Sequence, residues 1–200
     1  MERYINYVLI RFERLWRFVL RLFFRFDRWN IIALRERPYA RAIIGFLNAL
    51  PHEQRTKSLE IGCGLGDIIR HIHFKERAGF DADNRVLRAA RFLSWFNRSI
   101  ITRFIRFDFP DNSLFGRYDV IIMVNWIHGV RPDVLKQKIE DYARENLLEG
   151  GMIIIDTVGD TEYPFNHDIT ALTADIECRI LKLGRYRRGR EVYVITPCIH

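Results

Sequence analysis

Apolar positions along this chain follow two periods, and the changes between them divide it into elements. Over residues 1–30, Tyr4, Phe12, Leu15, Trp16, Val19, Leu22, Phe23 and Phe26 recur at helical spacing. At about 100° per residue, Arg3, Arg11, Arg14, Arg17, Arg21, Arg25 and Arg28 gather on the other side, with Phe18 inside the arginine arc and Phe24 at its edge. A second helix is predicted from Arg35 to Leu50, with Pro38 in its first turn, an apolar face of Ile43, Ile44, Phe46, Leu47 and Leu50, and Pro51 as its stop. Beyond a polar loop the period shortens. Leu59 and Ile61 flank Glu60 in a short buried strand; Arg77–Asp81, Arg103–Asp108, Tyr118–Val124 and Met152–Asp156 read as four more. Helices are predicted between them. One starts at Asp67; another is capped by Asp83 and carries Val86, Leu87, Ala90, Leu93 and Phe96; a third spans Asp133–Leu148 between Arg131-Pro132 and Gly150-Gly151. Residues 157–173 show neither period. Asp175–Leu183 and Glu191–Thr196 then form a hairpin around a basic tip, Gly184–Gly189. Strands alternating with helices specify an α/β fold with a mostly parallel sheet.

Composition narrows this little. Two hundred residues suffice for one domain with a sizeable core, and 48% hydrophobic with 28% charged residues is ordinary for a globular chain. The net charge of +7 is compatible with nucleic acid, an anionic membrane surface or an acidic substrate. Cys63, Cys178 and Cys198 have no C-x-x-C spacing and read as reduced thiols of a cytoplasmic protein. No run approaches the roughly 18 apolar residues of a spanning helix. Arginines interrupt any signal-peptide core near the N-terminus. That first segment carries seven arginines against Glu2, Glu13 and Asp27. It fits an interfacial helix on an anionic membrane or a protein partner, a helix packed on its own domain with snorkelling arginines, or an RNA contact. The pattern leaves all three open.

The candidate chemistry starts at Lys57–Asp67, where a strand breaks into Gly62, Gly64 and Gly66 and helical spacing resumes. Strand, glycine turn and helix start make a nucleotide-type site, with N–H groups facing a ligand. A dinucleotide fingerprint, G-x-G-x-x-G, would need glycine at position 67, which is Asp67. Glu60 instead stands two residues before the first glycine, giving E-x-G-x-G-x-G. Asp81, at the end of the second strand, is placed to accept two bonds from vicinal ribose hydroxyls.

The E-x-G-x-G-x-G spacing resembles motif I of the class I S-adenosylmethionine-dependent methyltransferases, and Gly79-Phe-Asp81 is similar to that family's G-x-D-x-S, with Asp83 where serine is common. Over residues 55–197 the resemblance implies a doubly wound, mostly parallel seven-stranded sheet with an antiparallel C-terminal strand. Residues 1–50 are then an N-terminal helical extension and 51–200 the methyltransferase domain. It implies S-adenosylmethionine as cofactor, held by Glu60, Gly62, Cys63, Gly64, Gly66, Asp81, Ala82, Asp108, Phe109 and Asn125, with Asp108 near the adenine amine. Phe107 and Phe109 either flank the adenine or belong to the core.

Acceptor residues are then expected in Asn125–Gly129 and 157–173. His128, and His167 beside Asp168, are candidate proton acceptors; the alternative is a structural role. Two histidines 39 residues apart have no metal-ligand spacing, so no metal is expected. The loop at 125–129 lacks the Pro-Pro-Tyr of methyltransferases acting on nucleobase amino groups. That absence counts against a nucleic-acid acceptor, and under the resemblance the expected activity is methyl transfer to a hydroxyl or carboxyl of a small-molecule, sugar or lipid-linked acceptor. A non-catalytic binding protein and an RNA methyltransferase are the alternatives. The expected location is the cytoplasm, with peripheral contact at the inner membrane face through residues 1–30.

Overall fold

The computed structural model describes residues 2–95 and 102–198, with side chains from residue 5 onward. Phe96 and the side chains of Arg3 and Tyr4, assigned above to helix faces, lie outside the described residues. Helix α1 (Glu2–Phe24) leads through short 3₁₀ turns into α2 (Pro38–Asn48). Strands β1 (Lys57–Ile61) and β2 (Glu76–Asp81), helix α3 (Asn84–Trp95), β3 (Thr102–Arg106) and β4 (Tyr118–Met123) follow. Then come α4 (Pro132–Asp141), β5 (Leu147–Thr157), the single turn α5 (Ile169–Leu172), β6 (Cys178–Arg185) and β7 (Glu191–Pro197).

The strands form one seven-stranded sheet in the order β3-β2-β1-β4-β5-β7-β6. β1 to β5 pair in parallel, and β7 runs antiparallel between β5 and β6. This is the expected doubly wound α/β architecture with its reversed C-terminal strand. Successive strand residues point to opposite faces, so each continuous apolar run feeds two cores. Val120, Ile122, Ile154, Val192 and Val194 pack on one face with Ile43 and Leu47 of α2 and Leu87 of α3. Leu59, Ile121, Met123, Ile153 and Ile155 pack on the other with Leu135 and Ile139 of α4. A third cluster joins Leu20 of α1 and Phe26 to Leu65, Val86 and Ala89.

Two of the predicted helices change most. The helix expected from Asp67 is not formed, and residues 64–71 make a run of turns instead. Only eight residues separate Asp67 from β2, and local partners capture the groups a helix would use. The Glu60 carboxyl accepts from Ile69 N (2.9 Å), and the His71 ring lies 2.7 Å from Asp67 O. Further on, the helix predicted to Leu148 stops at Asp141, passes through a wide turn (Tyr142–Asn146) and becomes β5 at Leu147. Leu147 pairs with Tyr118, and a register shift before Val120 absorbs the intervening Gly150-Gly151.

Candidate active site

β1 is bonded to β2 on one side and β4 on the other, so the chain reverses its direction of travel across the sheet there. Ligands of open α/β sheets bind at the carboxyl ends of the strands flanking such a point. A cleft of about 590 Å³ opens at that place, a size suited to a small organic ligand. Ile61, Gly62, Gly64, Asp81 and Ala82 form its floor. Phe107, Phe109, Asn125 and Trp126 line it further on, and Trp29, Asn30, Glu162, Tyr163 and Arg188 reach it from distant segments.

The floor is set by backbone geometry. Gly62 (φ 70°) and Gly64 (φ 55°) occupy the left-handed region, where a Cβ is strained. Each glycine also admits a close neighbour. A Cβ on Gly62 would lie 2.2 Å from Cδ1 of Trp126, whose Nε1–H donates to Ile61 O (2.6 Å); one on Gly64 would lie 2.4 Å from the Asn30 side-chain oxygen. Protein side chains therefore use the close approach that these glycines permit. The Asp81 carboxylate accepts from Gly64 N and Asp83 N, both at 2.9 Å. Burial pushes its pKa up, and those two N–H groups oppose the shift. The Ala82 N–H acts in the same direction; a carboxylate has about four lone-pair sites, so Asp81 retains acceptor capacity for a ligand hydroxyl. Asp83 caps α3 through Arg85 N (2.8 Å).

Other predicted residues lie beneath or beside the cleft. Glu60 and Cys63 are buried under the loop, and burial pushes the Glu60 carboxyl up to about 8 and the Cys63 thiol well up. Gly66 (φ 73°) packs against Phe104 rather than lining the cleft. The Asp108 carboxylate turns to Arg106 (3.2 Å), while its neighbours supply the wall: Phe107 stacks on Phe80, and Phe109 meets Trp126 edge to face. Asn125 lies on the lining with φ 75°, its N–H held by the Asp156 carboxylate at 2.8 Å.

His128 and His167 sit behind the lining. His128 is 1% exposed, with Nε2 3.3 Å from Asp156 and its ring 4.9 Å from that of Tyr163. Asp156 is fully buried and already paired with the Arg190 guanidinium, so its charge is compensated. Burial, then Arg190, lowers the His128 pKa to about 4 and keeps the ring neutral. His167 Nε2 lies 2.9 Å from Ile127 O, to which its ring N–H donates, and burial lowers its pKa.

Periodicity carried no signal for Trp29, Asn30 or Glu162. Arg188 was visible only as part of the basic tip. The hairpin folds that tip over the cleft, where Arg188 pairs with Glu162 (3.0 Å) and Asp160 (3.6 Å).

No protein-family model and no curated protein sequence matches this chain. Solved structures do. Magnesium protoporphyrin IX methyltransferase (ChlM) from Synechocystis PCC 6803, with bound SAM, superposes with a TM-score of 0.65 over 96% of each chain at 12% identity. An S-adenosylmethionine-dependent methyltransferase from Clostridium acetobutylicum ATCC 824 gives 0.64 at 14% identity, over 80% of this chain and 91% of that one. The N-methyltransferase NodS from Bradyrhizobium japonicum WM9, in complex with S-adenosyl-l-homocysteine, gives 0.64 at 15%, over 82% and 88%. This chain has the class I methyltransferase fold. At these identities the likeness establishes the fold alone.

Proposed function

We propose that this protein binds S-adenosylmethionine in the cleft at the ends of β1 and β2 and transfers its methyl group to a hydroxyl or carboxyl. The acceptor is a small-molecule, sugar or lipid-linked compound, and three free cysteines fit a cytoplasmic setting. The carrying observation is Asp81, a carboxylate at the end of β2 that is tied to the glycine loop and keeps free acceptor capacity at the cleft. Phe107 and Phe109 supply an apolar wall for a planar base. The cofactor supplies an electrophilic methyl group; the chain's task is to hold an acceptor in line with it. An acceptor carboxylate is nucleophilic without a base, and a hydroxyl acceptor would need only in-line positioning as its proton leaves. His128 supports the acceptor wall by packing against Tyr163, and His167 by holding the Ile127 carbonyl.

Calorimetry with S-adenosylmethionine and S-adenosylhomocysteine tests the cofactor site. Asp81→Ala is expected to weaken both by about tenfold or more, because hydrogen bonds to a charged group contribute about 1.5–3 kcal/mol each. A folded wild-type sample that binds neither would remove the reading. Radiolabelled S-adenosylmethionine with fractionated extract then reports the acceptor class. A non-catalytic reading draws on one observation, the Trp126 and Asn30 side chains packed over Gly62 and Gly64. Cofactor binding without transfer to any fraction would favour it, and label in RNA would favour the nucleic-acid alternative.

A further inference from the structure

Helix α1 is amphipathic, yet it packs on its own domain by its polar side. Arg17 is 5% exposed and donates to both oxygens of Asp67 at 2.8 Å, to Glu13 at 2.6 Å, and to the carbonyls of Asn30 (3.2 Å) and Ile32 (3.0 Å). Arg14 makes a two-pronged pair with Glu36, both contacts at 2.6 Å. Arg21 donates to Phe26 O at 3.1 Å. Leu20 is the one fully buried apolar side chain among the described residues of α1.

The opposite face is left bare. Ile5, Val8, Phe12, Leu15, Leu22 and Phe23 follow one another at helical spacing and are 47–78% exposed, with Leu9 and Trp16 alongside at 40% and 42%. An amphipathic helix of a globular protein turns such a stripe toward the core, and a contiguous apolar patch of this kind marks an interaction site. Charge selects the occupant. Arg11 borders the stripe, with its guanidinium 4.8 Å from the Tyr7 ring, and Arg25 and Arg28 are exposed just beyond the helix. A basic rim around an apolar, aromatic-bearing helix matches a leaflet with anionic headgroups over an acyl interior. No helix among the described residues is long and apolar enough to cross a membrane, so this helix would lie in the interface.

We propose that α1 docks this protein on an anionic lipid surface by its outer apolar face. Its arginine side meanwhile grips the domain. The same Arg17 that holds Asp67 also fixes the Asn30 carbonyl, and Asn30 and Trp29 form the rim of the cleft. Trp29 is 74% exposed. Docking therefore holds the cleft mouth close to the headgroups. Resting on the methyltransferase reading, this deepens the acceptor class to an amphiphile, with its apolar part in the leaflet and its hydroxyl or carboxyl at the cleft.

Vesicle co-flotation of the full chain tests the docking. The probes are phosphatidylcholine vesicles with and without phosphatidylglycerol, and the proteins are wild type and the exposed-face variant Phe12→Asp/Phe23→Asp. Wild type is expected to float with the anionic vesicles, less so at high salt and weakly with phosphatidylcholine alone. The variant should lose about tenfold or more of that binding, as expected for withdrawing two large side chains from an interface, with unchanged circular dichroism. Equal flotation of both proteins overturns the proposal. So does a wild-type dimer by light scattering that the double variant abolishes, because a second copy then covers the face. Cofactor affinity without vesicles is measured on the same samples. Its loss would strike the methyltransferase reading and leave the docking result standing.

Discussion

Glu60 is fully buried beneath the glycine loop, and its carboxyl oxygen holds Ile69 N. Burial is the largest influence on it, raising its pKa from an ordinary 4.5 to about 8; the Ile69 N–H and Arg37 act in the opposite direction. The unfolded chain releases this proton near 4.5 and the folded chain retains it to about 8. Across that window the folded state binds more protons, so the Glu60 contribution to stability falls as pH rises. Glu60→Gln keeps a neutral oxygen for Ile69 N without the titration. Thermal melts at pH 5 and pH 8 should show the variant gaining on wild type at the higher pH; an equal difference at both would refute the assignment. Gly62 permits a second test. Gly62→Ala meets both a positive φ and the Trp126 ring, with backbone strain of about 1–3 kcal/mol. In urea denaturation, adding Trp126→Ala should restore only the part due to collision.

At the scale of elements, α1 is fixed through Asp67, which gathers Arg17, Arg37 and Arg70. Asp67→Ala leaves Arg17 without its buried carboxylate, and breaking such a pair costs about 3–5 kcal/mol. Arg17→Met costs less, because Asp67 keeps two arginines. Hydrogen exchange should report lost protection along α1 in Asp67→Ala; unchanged protection would show that Leu20 and Phe26 anchor the helix by themselves. Asp67 also illustrates where the sequence could be read and where it could not. Leu59, Ile121 and Ile153 lie in runs whose strand character follows from local composition alone, and a mostly parallel sheet follows from the alternation of elements. Gly62, Gly64 and Asp81 reached the cleft because spacing along one strand–turn–strand unit fixes their geometry. The turn at 64–71 depended on side-chain partners from α1 and β1 that no local period encodes. Trp29, Glu162 and Arg188 converge through pairs such as Asp160–Arg188 and Asp156–Arg190, formed only once the sheet exists. The sequence pattern left open which side of α1 faces the domain. The buried Arg17–Asp67 contact turns the arginine side inward, which is a tertiary choice.

For the whole molecule, the question is where the N-terminal extension ends and the domain begins. α2 contributes Tyr39, Ala40, Ile43 and Leu47 to the same core as β4, β5 and β7. The Arg190 guanidinium, on the C-terminal hairpin, lies 4.7 Å from the Tyr39 ring. α1 reaches the domain through one polar cluster and a small apolar satellite that holds Leu20 and Phe26. These two helices should therefore respond differently to loss of an apolar side chain. Ile43 is 0% exposed, and Ile43→Ala should cost about 2–5 kcal/mol from lost burial and a residual cavity. Phe12 is 70% exposed, and Phe12→Ala should stay within about 0.5 kcal/mol. Urea denaturation of the two variants measures both. A large loss for Ile43→Ala with none for Phe12→Ala would place α2 within the α/β domain and leave α1 as the separable part. Comparable small losses would put the boundary after α2, at residue 50. A large loss for Phe12→Ala would mean that its exposed ring is covered in solution, and would direct attention to whichever surface covers it.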